Sequence, residues 1–375
     1  MSNRLDVDFE IADNDASSAA FGWDFQENAG IFLFLNFIKR ADSIIIESKY
    51  EDIEISLTES GNIYAQAKAL QDESTTGTEN LKLRKAILSL AKLNVTDNDM
   101  LIYISNLRAP IDGDKYRFAN DIVSFNQCAP DQKDFIKKQT EVIINDLQRK
   151  IDSGKLSSTK QLKYLELQKR LKEFKYDKFY VASIYPFIEG IDRYKVLRDR
   201  TIQTLSNDMA IESDKVLTIV DKVLAHWQKV LKFNSTIADK GNDRKYINKS
   251  DFVWTVIALY GDSIPFNMIQ ESLSGSFDTA LEADGDRYLN DEKNLYHERF
   301  EFMVKVIRAY EEFKKTARGI KADEAFICSD EWKKFSYEFE DISDTLLREY
   351  ITKCYIYRII RRNRDFANIK KGVNL

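Results

Sequence analysis

The sequence predicts an α/β domain followed by a mostly α-helical one. Between residues 21 and 105 the pattern runs helix, three strands, helix, strand, an order that gives a sheet covered on its faces. From Asp192 onward nearly every segment has helical period. Only 4 Pro and 13 Gly in 375 residues argue against a linker-rich or disordered chain. The domains are read as 1–225 and 226–375, with the boundary soft between 210 and 240.

Phe21–Ile38 reads as the first helix, with Gln26, Gly30, Leu33 and Phe37 along one stripe. Three segments of strand character follow: Ile44–Glu47, Ile53–Leu57 and Ile63–Lys68. Glu59-Ser60-Gly61-Asn62 is the turn between the last two, since Gly and Asn tolerate the positive φ of a tight hairpin. Alternation puts Asp52, Glu54 and Ser56 on one face of the second strand and Tyr64, Gln66 and Lys68 on one face of the third. The opposite face of the third strand, Ile63, Ala65, Ala67 and Ala69, is small enough to let a helix pack close. A folded hairpin therefore gathers a carboxylate, an amide and an ammonium on one surface.

Gln71–Asn80 is a polar loop, and Thr76-x-x-Glu79 is a capping-box pattern for a helix over Leu81–Ala91. Met100–Ser105 is a fourth strand, followed by a loop over Leu107–Asp114. Asp131–Lys150 and Thr159–Phe174, separated by Asp152-Ser153-Gly154, read as an antiparallel helical hairpin inserted in or appended to the α/β core. Phe179–Phe187 has strand character that Pro186 should end, and its aromatic residues Phe179, Tyr180, Tyr185 and Phe187 read as core. Helices are expected over Glu212–Phe233, Lys249–Tyr260, Asp291–Arg318 and Ile342–Arg361, with Ser272–Asp286 as a turn region.

Composition removes several chemistries. Cys128, Cys328 and Cys354 are odd in number and far apart, which argues against a disulfide framework. With only His226 and His297 and no C-x-x-C, the chain lacks a structural zinc pattern, and His226 beside Trp227 is given no role. It has neither a phosphate-binding P-loop motif nor a G-x-S-x-G nucleophile elbow. The longest apolar run, near Ile31–Ile38, is too short to span a bilayer, and MSNRLDVDFE lacks a signal-peptide pattern, so a cytoplasmic setting without membrane contact is expected. A net charge of −5 gives no nucleic-acid signal. A carboxylate-and-lysine metal site is among the few hydrolytic options left.

Glu51-Asp52 followed by Gln66-Ala67-Lys68 resembles the PD-(D/E)XK restriction-endonuclease-like superfamily, and more narrowly the double-strand DNA nuclease domain of bacterial antiviral effectors. The same resemblance includes Phe21-Gly22-Trp23-Asp24-Phe25-Gln26 on the first helix and Leu101-Ile102-Tyr103-Ile104-Ser105-Asn106 on the later strand. It covers about the first half of the chain. It implies a restriction-endonuclease-like N-terminal domain and a metal-dependent DNA endonuclease using Mg²⁺ or Mn²⁺. Asp52, Gln66 and Lys68 would be its catalytic residues, with Asp52 and Gln66 as metal ligands. Gln66 stands where most of the superfamily has an acid, and a neutral amide binds a cation more weakly.

Phosphodiester hydrolysis needs a hard divalent ion to neutralise charge on the phosphate, and magnesium is content with one or two carboxylates and several waters. Lys68 would stabilise developing charge or position water. Gln26, Glu47 and Glu54 are candidate supporting residues. Each has an ordinary reading beside it. Asp52 and Glu54 on a strand suit a solvated face, Glu47 could pair with Lys49 or Lys68, and Asn106 alone is a strand-terminating turn residue.

Near the C-terminus, Arg358, Arg361 and Arg362 on an aromatic-interleaved helix, together with Asn106, are candidate contacts to double-stranded DNA. The ordinary reading of those arginines is that they complement their own helix dipole. Size and layout resemble the nuclease subunit of Lamassu-type defence systems. That implies an anti-phage or anti-plasmid effector, controlled by homo-oligomerisation or by an SMC-like partner with accessory protein subunits. Two alternatives stand beside it: a catalytically inactive nuclease-fold scaffold or binding module, and a nuclease gated by a nucleotide second messenger. For the last, the helical half reads as too short and of the wrong type.

Overall fold

Ile53–Leu57 (β2) and Asn62–Lys68 (β3) pair antiparallel, Ile53 opposite Ala65 and Ser56 opposite Asn62. The turn between them holds Ser60 at φ 60° and Gly61 at φ 125°. A Cβ on Gly61 would lie 2.6 Å from the Asn98 carbonyl oxygen, so both conformation and space require glycine there. The structure, a computed structural model, describes residues 4–11, 19–70, 78–111, 120–187, 193–236, 246–259, 266–276, 278–290, 299–316, 322–361 and 363–375. The Thr76 to Glu79 capping pattern and the expected helix start at Asp291 fall wholly or partly outside these residues.

The chain divides into two compact units, Met1–Ile202 with Trp227–Asn248, and Gln203–His226 with Lys249–Leu375. The chain passes between these units three times, where the sequence reading placed one boundary at 225/226. The middle one falls inside the helix Ser213–Thr236 (α6), where continuous hydrogen bonding leaves no loop for composition to reveal.

In the first unit seven strands form one mixed sheet in the order β5-β6-β4-β3-β2-β1-β7. β1 is Ala41–Ile46, β4 Met100–Ser105, β5 Ile122–Ser124, β6 Phe179–Ser183 and β7 Ile247–Asn248. β3, β4 and β6 run parallel, and the hairpin strands at either side are antiparallel. Ala19–Asn36 (α1) packs on β1 and β3. Gly30 permits that approach, since a Cβ there would sit 2.5 Å from the Ile46 side chain. Ile31 through Leu35 are all buried, the pattern of a helix covered all round.

On the other face Thr78–Leu90 (α2), Pro130–Asp152 (α3) and Ser158–Lys172 (α4) bury Leu83, Ile87, Ile143 and Leu167 against Tyr64 and Tyr103. The helical hairpin α3–α4 is thus part of the core, inserted between β5 and β6. β6 ends at Ser183, short of the Pro186 expected to end it, because side-chain amides take over the backbone. Asn120 Nδ2 donates to the Tyr185 carbonyl at 2.6 Å, and Asn106 Nδ2 to the Phe187 carbonyl at 3.1 Å. A short helix, Lys195–Gln203 (α5), follows.

The second unit is helical: Lys249–Leu259 (α7), Phe266–Glu271 (α8), Thr279–Asn290 (α9), Arg299–Thr316 (α10), Ala322–Cys328 (α11), Thr345–Arg361 (α12) and Asn363–Val373 (α13). α12 is its centre, packed by α8, α9, α10 and α11. Its buried ion pair, Lys353 Nζ to Glu349 Oε1 at 2.8 Å, also fixes Ser272 and Ser274. The expected turn over Ser272–Asp286 is corrected: Asp278 caps α9 by accepting from Leu281 N at 2.9 Å, and Gly285 is a close-packing residue inside the helix. No helix among the described residues is long and apolar enough to cross a membrane.

Candidate functional site

The turn from β1 into β2 presents the two acids. Glu47 adopts φ 53°, its N–H donates to the Asp52 carbonyl at 2.7 Å, and Ser48 Oγ accepts from the backbone of Tyr50 and Glu51 at 3.0 Å. This closed turn places Asp52 just ahead of β2, beside the end of β3. Asp52 Oδ2 there accepts from Lys68 Nζ and from the Ala67 backbone N–H, each at 3.1 Å. Both side chains of the pair keep solvent access, 16% for Asp52 and 23% for Lys68.

Glu51 turns the other way, into the α2 side. Its side chain is fully buried and accepts from Gln66 Nε2 and from Ser89 Oγ of α2. Arg4 Nη2 approaches it to 3.9 Å, and Arg4 Nη1 donates to the neighbouring Tyr50 carbonyl. Burial pushes the Glu51 carboxyl up to about 8, against the opposing pull of Arg4 and with Asp52 adding to the rise. Burial wins because Arg4 remains 30% exposed and shares its charge with solvent, whereas the Glu51 side chain is fully buried.

Asp52 and Lys68 are thus brought together, with Gln66 two residues before Lys68 on β3. Gln66 gives its amide nitrogen to Glu51. Among the described residues Gln66 Oε1 and Asp52 Oδ1 accept no hydrogen bond. No three His, Cys, Asp or Glu side chains among the described residues form a metal-holding group. Asp52 could offer one carboxylate and Gln66 one amide oxygen, a set that would suit only a hard cation keeping most of its waters.

The supporting candidates part company. Glu54 does not join Asp52. It is 4% exposed, takes the Tyr246 hydroxyl at 3.4 Å on Oε1, and leaves Oε2 buried without a hydrogen-bond partner. Burial pushes its carboxyl up as well. The shared face expected for Asp52 and Glu54 fails because β2 begins at Ile53, so strand alternation does not extend to Asp52. Gln26 makes no hydrogen bond to the cluster, and its Oε1 is buried unpartnered. Glu47 shapes the turn through its backbone, and the Lys68 pairing is with Asp52.

Asn106 is corrected from a DNA contact to an internal clamp. It is 2% exposed, accepts from Leu70 N at 2.9 Å and donates to the Leu70 and Phe187 carbonyls. Arg358 lies half-buried over the Tyr355 ring, with its Nε buried. The side chain of Arg361 and all of Arg362 lie outside the described residues. Sequence reasoning gave no role to Glu51, Ser89 or Arg4. Glu51 carried a signal, its place beside Asp52, whereas Arg4 and Ser89 carried none.

No family model and no curated protein matches the chain. A solved structure does: the Cap4 SAVED/CARF-domain containing receptor of Acinetobacter baumannii with the cyclic trinucleotide 3'3'3'-cAAA. It is 14% identical, covers 82% of this chain and 63% of that one, and superposes with a TM-score of 0.32. The chain thus spans less than two thirds of that receptor's length, and so low a TM-score carries no argument about fold or function.

Proposed function

We propose that the first unit is a metal-dependent DNA endonuclease, acting as the effector of an anti-phage or anti-plasmid system. What supports the reading is the Asp52–Lys68 pair at one end of β3, with Lys68 Nζ 3.1 Å from Asp52 and Gln66 on the same strand two residues earlier. Asp52 and Gln66 Oε1 would hold Mg²⁺ or Mn²⁺. When bound, the ion supplies charge neutralisation on the phosphate and a more acidic water. Lys68 sits where its ammonium can meet a phosphoryl oxygen once Asp52 engages the ion, and the Ala67 N–H keeps Asp52 oriented meanwhile.

The test is cleavage of double-stranded plasmid by purified protein. Cutting requires Mg²⁺ or Mn²⁺, and Asp52→Ala and Lys68→Ala each abolish it while the thermal unfolding transition persists. Undiminished cutting by Lys68→Ala protein ends the proposal. An inactive scaffold or binding module, the alternative, gives no metal-dependent cutting at any protein concentration.

Control is assigned to assembly: a homo-oligomer as the active species, with an SMC-like partner and accessory subunits holding the resting one. Gating by a nucleotide second messenger is the second reading. The Cap4 receptor is solved with a cyclic trinucleotide, a property of that protein. Adding cyclic oligonucleotides to the same cleavage assay decides between them, since activation at micromolar ligand would replace assembly as the primary switch.

A further inference from the structure

We infer that Arg108, laid over the ring of Tyr185, is a contact to the DNA phosphate backbone beside the Asp52–Lys68 pair. This rests on the nuclease reading above and names a substrate contact for it.

β3, β4 and β6 run parallel, with Lys68 opposite Ser105 and Ser105 opposite Ser183. Their C-terminal ends therefore share one edge of the sheet. Asn106 ties that edge together, bonding Leu70 beyond β3 and the Phe187 carbonyl beyond β6. Lys68 stands two residues before Leu70, Arg108 two after Asn106, and Tyr185 two before Phe187. One buried clamp thus gathers an ammonium, a guanidinium and an aromatic ring at the edge where Asp52 meets Lys68. Lys68 and Ser183 lie two strand spacings apart, about 10 Å, while phosphates advance about 3.4 Å per nucleotide along a DNA strand. The Arg108–Tyr185 platform therefore meets the backbone a few nucleotides from the phosphate at Lys68.

Arg108 is the one exposed residue between Met100 and Ile111, with Leu107 and Ala109 buried on either side of it. Its guanidinium lies 5.9 Å from the Tyr185 ring centroid, within cation–π range. Tyr185 is fixed in turn. Asn120 Nδ2 donates to its carbonyl at 2.6 Å, and its own N–H donates to Asn120 Oδ1. Among the described residues no carboxylate pairs with Arg108, so its charge is available to a ligand. A guanidinium presents a planar fork of donors that matches a phosphate, and stacking on a fixed ring leaves it less freedom to lose on binding.

The experiment is fluorescence anisotropy of a labelled double-stranded oligonucleotide titrated with the full chain in EDTA, from 50 to 200 mM salt. Working without metal separates binding from cleavage. Arg108→Gln removes the charge at an exposed position and weakens binding. The wild-type advantage over it shrinks about threefold across that salt range, because one phosphate contact contributes about 0.9 to the salt slope. Arg108→Lys keeps the slope. Tyr185→Leu, which removes the platform and leaves the charge, weakens binding and also keeps the slope. Lys172→Gln, the same charge change on the exposed end of α4, is the control and binds as wild type does. Arg108→Gln protein with the wild-type slope, or no different from Lys172→Gln, overturns the inference and leaves the nuclease reading standing. Arg108-dependent binding by protein that never cuts with Mg²⁺ or Mn²⁺ supports the contact and removes the nuclease. Wild-type protein that binds no duplex at 50 mM salt sinks both.

Discussion

Ser89 Oγ stands 3.0 Å from both carboxylate oxygens of Glu51, and that hydroxyl and the Gln66 amide are the hydrogen bonds that the buried group receives. Burial outweighs these bonds and the pull of Arg4, so the group keeps its proton up to about 8. In the unfolded chain the same carboxyl titrates at its ordinary value near 4.5. Between those values the native state holds a proton that the unfolded state has released, so stability falls as pH rises through the window. Glu51→Gln removes the titration. Thermal or urea unfolding from about pH 5 to about pH 9 should show wild type losing stability relative to Glu51→Gln, by on the order of a few kcal/mol at the alkaline end. Parallel curves for the two proteins would refute the assignment.

Asn106 binds both Leu70 backbone groups and the Phe187 carbonyl directly, from a buried position. Removing it leaves three buried backbone partners short of a bond. Asn106→Ala should therefore cost roughly 2–4 kcal/mol in urea unfolding. A change below about 0.5 kcal/mol, the size of an ordinary surface substitution, would show that the clamp is not structural.

Much of the first unit was legible because its signals are local. The turn at Ser60-Gly61, strands β2 to β4 and the helical hairpin all follow from period and punctuation, and the structure places them within a few residues. The nearness of Asp52 to Lys68 was legible, since the β2–β3 hairpin sets the start of one strand beside the end of the other. What lay hidden depends on burial and distance along the chain. Arg4 reaches Glu51 across the fold, and no window of sequence joins them. β7 has two residues, too few for any period, and pairs with β1 from beyond residue 240. Glu54 and Asp52 looked equivalent by alternation, yet only one of them lies within the regular strand.

Gly285 was read as part of a turn, and its true setting gives a prediction of sign. In an exposed helix Gly→Ala stabilises by about 1 kcal/mol. Here the added Cβ would lie 2.5 Å from Tyr350 Cε1 and 2.9 Å from Cδ1, and Tyr350 is fully buried. Overpacking of a rigid ring costs about 1–3 kcal/mol, which exceeds the propensity gain. Gly285→Ala should lower the urea midpoint. A raised midpoint would mean that α9 shifts freely on α12.

The last prediction concerns how a nuclease of this kind, as proposed above, is kept silent. One Asp52–Lys68 site cuts one strand, so a double-strand break needs two sites facing opposite strands, which a symmetric oligomer supplies. Asp52 and Lys68 are already paired at 3.1 Å and open to solvent in the single chain, so the catalytic residues need no rearrangement to be withheld. Withholding assembly is enough. Cleavage should then rise more steeply than linearly with protein concentration, and nicked plasmid should precede linear product when the protein is dilute. Light scattering at the same concentrations should show mass growing where linear product first accumulates. Strict proportionality, from protein that sizes as a monomer while making double-strand breaks, would show that assembly is not the switch.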